Sequence, residues 1–331
     1  MKILVVGGAG YVGSHTVRLL RTLNHEVWVY DNLSRGHAES VPQEILIRGE
    51  LSDRERLQKV MRDKKIDAVV HFAAFALVGE SMEDPSIYYQ NNVTATLELL
   101  EAMRAAGVWR IVFSSTTATY GQPEIVPISE DTIQQPINPY GFSKLVIERA
   151  LTDYARAYGF GIAALRYFNA AGAHPDGSIG EDHEPESHLI PIVLQVALGQ
   201  REHVSILGDD YPTPDGTCIR DYIHVQDLAT AHVAALGKLE PHGDIKVNLG
   251  TGRGTSVMEV IEASRRVTGH SIPAIVSPRR PGDPPRLIAD VRKAKQVLGW
   301  SAEYTEIEKT IATAWKWHRL HPRGYASMLL T

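Results

Sequence analysis

Ile3-Leu4-Val5-Val6 runs straight into Gly7-Gly8-Ala9-Gly10-Tyr11-Val12-Gly13, and Thr16, Val17, Leu19, Leu20 and Leu23 follow at helical spacing. A short, unbroken apolar run of this kind suits a strand buried on both faces in a parallel sheet. Strand, glycine loop and helix in that order form the context of a dinucleotide fingerprint. Gly7 would permit the tight turn, Gly10 the approach of backbone to a pyrophosphate, and Gly13 the close packing of helix on strand. The phosphates would sit on the amide-rich start of the helix. The spacing is G-x-x-G-x-x-G rather than G-x-G-x-x-G, so a glycine-rich turn without a ligand is the competing reading.

A second strand, Val27-Trp28-Val29-Tyr30, ends in Asp31. A carboxylate at this strand tip, about 20 residues past the glycines, suits an adenosine ribose 2′-hydroxyl and repels a 2′-phosphate. That favours NAD over NADP, with Arg35 nearby keeping the second open and a turn-capping aspartate as the plainer alternative. Further strands are expected at 45–48, 68–72, 111–113 and 162–165, with helices at 53–62, 85–106 and 139–158 between them. This alternation predicts an α/β fold, a doubly wound parallel Rossmann sheet. After Arg166 the pattern loosens. Residues 169–190 read as a long functional loop. Shorter elements follow near 189–199, 204–207, 225–238, 245–248, 256–267 and 305–319. The expected division is a Rossmann domain over 1–168 and, over 169–331, mostly a smaller α/β substrate domain with segments returning to the first.

Tyr140 and Lys144 stand four apart in the 139–158 helix, behind Asn138 as N-cap and Pro139 at the first helical position. That spacing puts both on one face. A nearby ammonium favours a phenolate, and a phenolate can accept the proton of a substrate hydroxyl. A core tyrosine beside a surface lysine is the alternative, and only the rest of the chain argues against it.

The totals exclude several classes. A net charge of −5 and a pI near 6.3 give no electrostatic case for nucleic acid or an anionic membrane. Cys218 is the only cysteine, so no intrachain disulfide forms. The four apolar residues before the glycines are too few for a signal peptide or membrane span. A cytoplasmic protein is the expectation.

With the glycine loop, Asp31, the run Ser114-Ser115-Thr116-Thr117 and Tyr140/Lys144 in this order, the chain resembles the extended short-chain dehydrogenase/reductase family nearly end to end. Within it the resemblance is to the UDP-hexose 4-epimerases. It is carried by Asp31-Asn32-Leu33, Val78-Gly79-Glu80-Ser81, residues 88–93, Leu165-Arg166-Tyr167-Phe168-Asn169, Gly172-Ala173-His174-Pro175, residues 216–225 and Arg279-Arg280-Pro281-Gly282-Asp283. The resemblance implies reversible epimerisation of UDP-glucose and UDP-galactose at carbon 4, through a 4-keto sugar, with bound NAD. Tyr140 would move the proton. Lys144 would bind the nicotinamide ribose and depress the tyrosine pKa. Thr116 would hydrogen-bond the sugar oxygen or relay a proton, a backbone-bonded turn hydroxyl being the alternative. The same resemblance assigns Gly7, Gly10, Tyr11, Val12, Gly13, Asp31, Asn32, Glu50, Leu51, Phe72, Ala73, Asn91 and Tyr167 to the cofactor. To the UDP-sugar it assigns Asn169, His188, Leu189, Tyr222 and Leu287, with Arg220 and Arg280 clamping the diphosphate and Asp283 on the uridine ribose. It also implies a homodimer packed through the helices at 85–106 and 139–158.

Departures from the family pattern stand out. Phe75-Ala76 lies where members often carry a lysine. Glu50 replaces an aspartate, and Ser187-His188 an Asn-Asn pair. Leu287 stands where some members have a tyrosine, which leaves UDP-N-acetylglucosamine, or a UDP-pentose, as alternative substrates. His183-Glu184 and Glu186-Ser187-His188 offer metal-type ligands. The resemblance places that loop beside the uridine, and the chemistry needs no ion, so no metal is expected. A nucleotide-sugar dehydratase is disfavoured because Thr117 and Ala118, not carboxylates, follow Thr116. A non-catalytic NAD-binding protein is the reading from a different class.

Overall fold

The computed structural model describes residues 1–280 and 282–330, so Pro281 of the 279–283 motif lies outside the described residues. Six strands alternate with helices along the first half. They are β1 (Lys2–Val6), β2 (Glu26–Asp31), β3 (Leu46–Arg48), β4 (Ala68–His71), β5 (Arg110–Thr116) and β6 (Gly161–Tyr167). The strand Asp244–Leu249 returns from the second half to make the seventh. The spatial order is β3-β2-β1-β4-β5-β6 and then Asp244–Leu249, all parallel.

Both faces of this sheet are buried, which is why its strands read as apolar runs rather than alternations. Ile3, Val5, Val29, Val70 and Val112 face one core with Val17 and Leu20 of helix α1 (Tyr11–Thr22) and Leu228 and Ala235 of the helix Val225–Leu236. Leu4, Val6, Val69, Ile111 and Phe113 face the other. There they meet Leu57 and Met61 of α2 (Arg54–Lys64), and Leu99 and Met103 further along. The order in which strands are added reverses between β1 and β4, and the C-terminal ends of these two parallel strands open the crevice where ligands sit in such sheets.

The helix expected over 85–106 differs from expectation. The short helix α3 (Val78–Glu83) precedes it, and the 85–106 stretch is α4 (Pro85–Tyr88), a π-helical turn over Tyr89–Thr94, and α5 (Ala95–Ala106). The wide turn has a polar cause. Asn92 is buried, its amide bonded to Phe75 N at 2.9 Å, to Phe75 O at 3.0 Å and to Ser143 Oγ at 3.1 Å. Helix α6 (Pro139–Tyr158) is as the sequence predicts. Asn138 caps it by accepting from Gly141 N at 2.8 Å, and Gly159 ends it at a φ of +81°.

Residues 169–190, expected as one long loop, open on a strand, Asn169–Ala171, paired in parallel with Tyr222–His224. Ile219–Arg220 lies between Thr255–Ser256 and Arg286–Leu287, in a register that sets Leu287 opposite Arg220. These two-residue strands carry too little periodicity to be read from sequence, as do the strand Ala274–Ser277 and the helix Arg292–Leu298.

Candidate active site

A single cavity of about 840 Å³ opens at the C-terminal edge of the sheet, and the two groups of sequence-assigned residues share it. Gly7, Gly10, Tyr11, Val12, Gly13, Asp31, Asn32, Leu51, Phe72, Ala73, Asn91 and Tyr167 line one part. Thr116, Tyr140, Asn169, His188, Leu189, Arg220, Tyr222, Arg280, Asp283 and Leu287 line the other.

The glycine loop is built as its residue types demand. Gly7 has a φ of +75°, and an added Cβ would stand 2.3 Å from Ala73 N. At Gly13 a Cβ would stand 2.4 Å from Gly7 O. At Gly10 it would meet only Gly7 O, at 3.4 Å, because this position faces the cavity. Gly10 is also the N-cap of α1, which has no side-chain cap and no acidic residue in its first turn. Such a helix start leaves amide donors for an anion. Asp31 caps its turn and still faces the cavity. Its carboxylate accepts from Ala9 N at 3.0 Å and Leu33 N at 2.8 Å. These residues fit a dinucleotide. Arg35, the one cation that favoured a 2′-phosphate, pairs with Glu80 at 2.5 Å and covers the Phe75 ring.

Helix α6 carries Tyr140 to the cavity wall. Gly141 makes the approach possible, since a Cβ there would lie 2.5 Å from Ala118 O. That contact draws the turn after Thr116 onto α6. Burial raises the Tyr140 phenol above its ordinary pKa, and a hydrogen bond with the Thr116 side chain pulls it back. Thr116 Oγ1 also accepts from Ala118 N at 3.2 Å, so the backbone bond and the contact with Tyr140 coexist.

Two assigned residues stand off the cavity wall. Lys144 is buried behind it, and its Nζ donates to Ser114 O at 2.7 Å. Burial lowers Lys144 itself to about 7, with Glu148 acting the other way. Glu50 is exposed, and its carboxylate accepts from Asn32 Nδ2 at 2.9 Å.

On the far side, Arg220 Nη2 reaches Asp283 Oδ1 at 2.7 Å, and Arg280 Nη2 lies 3.2 Å from both oxygens of the same carboxylate. Two guanidinium groups thus converge on one point of the cavity, the geometry that suits phosphate oxygens. Sequence reasoning missed Gln122 and Ile137, which also line the cavity, as does Phe75, singled out there only as a departure from the family pattern. Gln122 is fixed by a bond to Gly282 O at 3.0 Å, a contact no local pattern announces.

Residues 3–250 match the NAD dependent epimerase/dehydratase family. The UDP-glucose 4-epimerase of Halalkalibacterium halodurans is 54% identical over 328 residues, covering 99% of this chain and 98% of that one. A crystal structure of a UDP-glucose 4-epimerase superposes with a TM-score of 0.95 at 51% identity, over 98% of this chain and 99% of that chain. The UDP-glucose 4-epimerase of Bifidobacterium longum, solved with NAD+ and UDP, superposes with a TM-score of 0.92 at 41% identity, over 98% and 100%. With its fold and cavity described, the chain belongs to the NAD dependent epimerase/dehydratase family, on the branch of the UDP-glucose 4-epimerases.

Proposed function

We propose that this protein interconverts UDP-glucose and UDP-galactose by epimerisation at carbon 4, with NAD as its cofactor. The observation that carries this reading is one continuous cavity joining the glycine loop, the Tyr140–Thr116 pair and the Arg220–Arg280–Asp283 group. The names of the similar proteins support it.

When bound, NAD supplies the removal and return of hydride at carbon 4. The protein's own residues do the rest. Tyr140 takes the proton of the 4-hydroxyl as the alcohol becomes a ketone, then returns it after the sugar has turned its other face. Thr116 hydrogen-bonds Tyr140 and is placed to bond the sugar oxygen. Lys144 adds a buried cation behind the wall, near the nicotinamide ribose. Gly7, Gly10 and Gly13 admit the pyrophosphate, and Asp31 takes the adenosine ribose. Arg220 and Arg280 hold the sugar-nucleotide diphosphate, for which Asp283 is the stand-in partner and then the ribose contact. Residues 1–168 act as the cofactor half and 169–331 mostly as the substrate half.

We read the working form as a cytoplasmic homodimer. Tyr89 and Phe142 are exposed and in edge-to-face contact, on the two helical stretches expected to pair. No helix among the described residues is long and apolar enough to cross a membrane.

The test is to incubate purified protein with UDP-galactose, without and with added NAD, and assay UDP-glucose. Product in either case supports the reading, and its appearance without added NAD means that the cofactor co-purifies. Bound NAD with no turnover would instead favour a non-catalytic dinucleotide-binding protein.

A further inference from the structure

The loop leading into the helix Leu189–Ala197 carries a side-chain group of which the reading above uses only His188, as a substrate contact. Glu181, His183, Glu186 and His188 each offer one ligating atom, and the four atoms all lie within 4.8 Å of one another. From this geometry we infer that the loop binds a divalent cation of the zinc class. Eight residues with the spacing E-x-H-x-x-E-x-H supply the whole set. Glu184, adjacent to His183, is exposed and stands outside the group, and the buried Glu181 completes it.

The Glu181 and Glu186 side chains are only 3% and 4% exposed. Two carboxylates withdrawn from water toward one point need positive charge between them. Both imidazoles turn Nδ1 to that point. His183 Nδ1 lies 3.3 Å from Glu181 Oε1 and 3.9 Å from Glu186 Oε2, and His188 Nδ1 also contacts Glu181 Oε1. A tetrahedral zinc ion bound at about 2.0–2.2 Å sets its ligand atoms about 3.3–3.6 Å apart. Its entry would therefore part the direct His188–Glu181 contact and draw the wider His183–Glu186 pair inward. Two imidazoles with two carboxylates suit zinc, whereas calcium and magnesium take six or more oxygens.

The surroundings hold the ligands in place, as the neighbours of a metal site do. Glu186 Oε1 accepts from the amides of Ser187 at 2.8 Å and His188 at 2.9 Å, which leaves Oε2 for the ion. The fully buried Trp317 donates from Nε1 to the Glu181 carbonyl at 3.0 Å. His183 and His188 also line the cavity, so the ion would clip the loop at the cavity rim without entering the proton transfer at Tyr140. Protons on the two imidazoles are the rival source of positive charge, and they compete with metal for the same Nδ1 atoms.

The test uses full-length protein, freed of metal by chelation and titrated with zinc chloride by calorimetry, with cobalt chloride as a spectroscopic probe. The expected result is one zinc ion per chain and the intense visible absorption of four-coordinate cobalt. His183→Ala and Glu186→Gln should each lower zinc affinity at least about tenfold. His270→Ala, at an exposed histidine elsewhere, should leave it unchanged. Failure to bind one equivalent overturns the proposal, as does equal affinity in all the variants. If His183→Ala and Glu186→Gln lose their fold, the cobalt spectrum of the unaltered protein decides, and weak six-coordinate absorption overturns it.

Discussion

Lys144 stands one helical turn after Tyr140, and its ammonium donates to the carbonyl of Ser114, 2.7 Å away. Glu148 lies one turn further along the same face, almost fully buried and paired with Arg166. The row Tyr140, Lys144, Glu148 therefore reads from cavity to core: a cavity-lining phenol, a buried amine and a fixed carboxylate. Each level has its own measurable signature.

Tyr140→Phe removes only a hydroxyl. The ring keeps its edge contact with Tyr88, centroids 6.4 Å apart, so the fold should survive. Turnover of UDP-galactose should fall about 10²–10⁴-fold, the usual worth of a positioned acid–base group. The melting temperature and the NAD content of the purified protein should hold. A variant with more than a tenth of the original rate would remove Tyr140 from its assigned role.

Lys144 predicts a pH signature in stability. Burial lowers its folded pKa to about 7, against an ordinary value of 10.5. Between those values the unfolded chain binds the extra proton, so this group's penalty is full below pH 7 and fades as pH rises toward 10.5. Lys144→Met, which removes the penalty, should gain stability over the original by a few kcal/mol at pH 6 and by little near pH 10, as an order of magnitude. Urea unfolding of ligand-free protein at both pH values checks this. A pH-independent difference would mean that the ammonium is not desolvated.

Glu148 tests the deepest level. Its carboxylate receives Arg166 Nε at 2.9 Å and Nη2 at 2.6 Å, and the two side chains are 1% and 3% exposed. Glu148→Ala leaves a buried guanidinium unpaired and should cost about 3–5 kcal/mol. Replacing both residues by methionine should recover much of that loss, because an apolar pair avoids the desolvation. Denaturant midpoints of the single and double variants measure it. An additive double variant would show that the pair is not coupled.

How far the sequence could be read depended on how local each signal was. The glycine loop, the strand ending at Asp31 and the capped helix Pro139–Tyr158 are local patterns, and each formed where its residues placed it. Asn92 shows the limit on the fold. Its bonds to Phe75 and Ser143 cross the chain, so nothing near it in sequence announced the π-helical turn. Lys144 shows the limit on the site. Helical spacing gives the face a residue shares, but not which carbonyl its ammonium finds. Glu181 is the same kind of miss, since it joins His183 and His188 only through the path of a loop without periodicity.

Gly10 and Gly13 separate what the fold needs from what the cofactor needs. At Gly13 a Cβ would lie 2.4 Å from Gly7 O and 2.8 Å from Gly8 Cα, both backbone atoms that cannot give way cheaply. Gly13→Ala should therefore destabilise the ligand-free protein by about 1–3 kcal/mol. Gly10 has a φ of −79° and a ψ of 175°, open to any residue, and a Cβ there would meet only Gly7 O at 3.4 Å. Gly10→Ala should leave the ligand-free melting temperature nearly unchanged and still weaken NAD binding, since the methyl group occupies the space where a pyrophosphate approaches the helix start. Thermal melts of ligand-free protein paired with NAD titrations distinguish the two. Unimpaired NAD affinity in Gly10→Ala would mean that the pyrophosphate does not lie against this turn, and the assignment of the glycine loop would have to change.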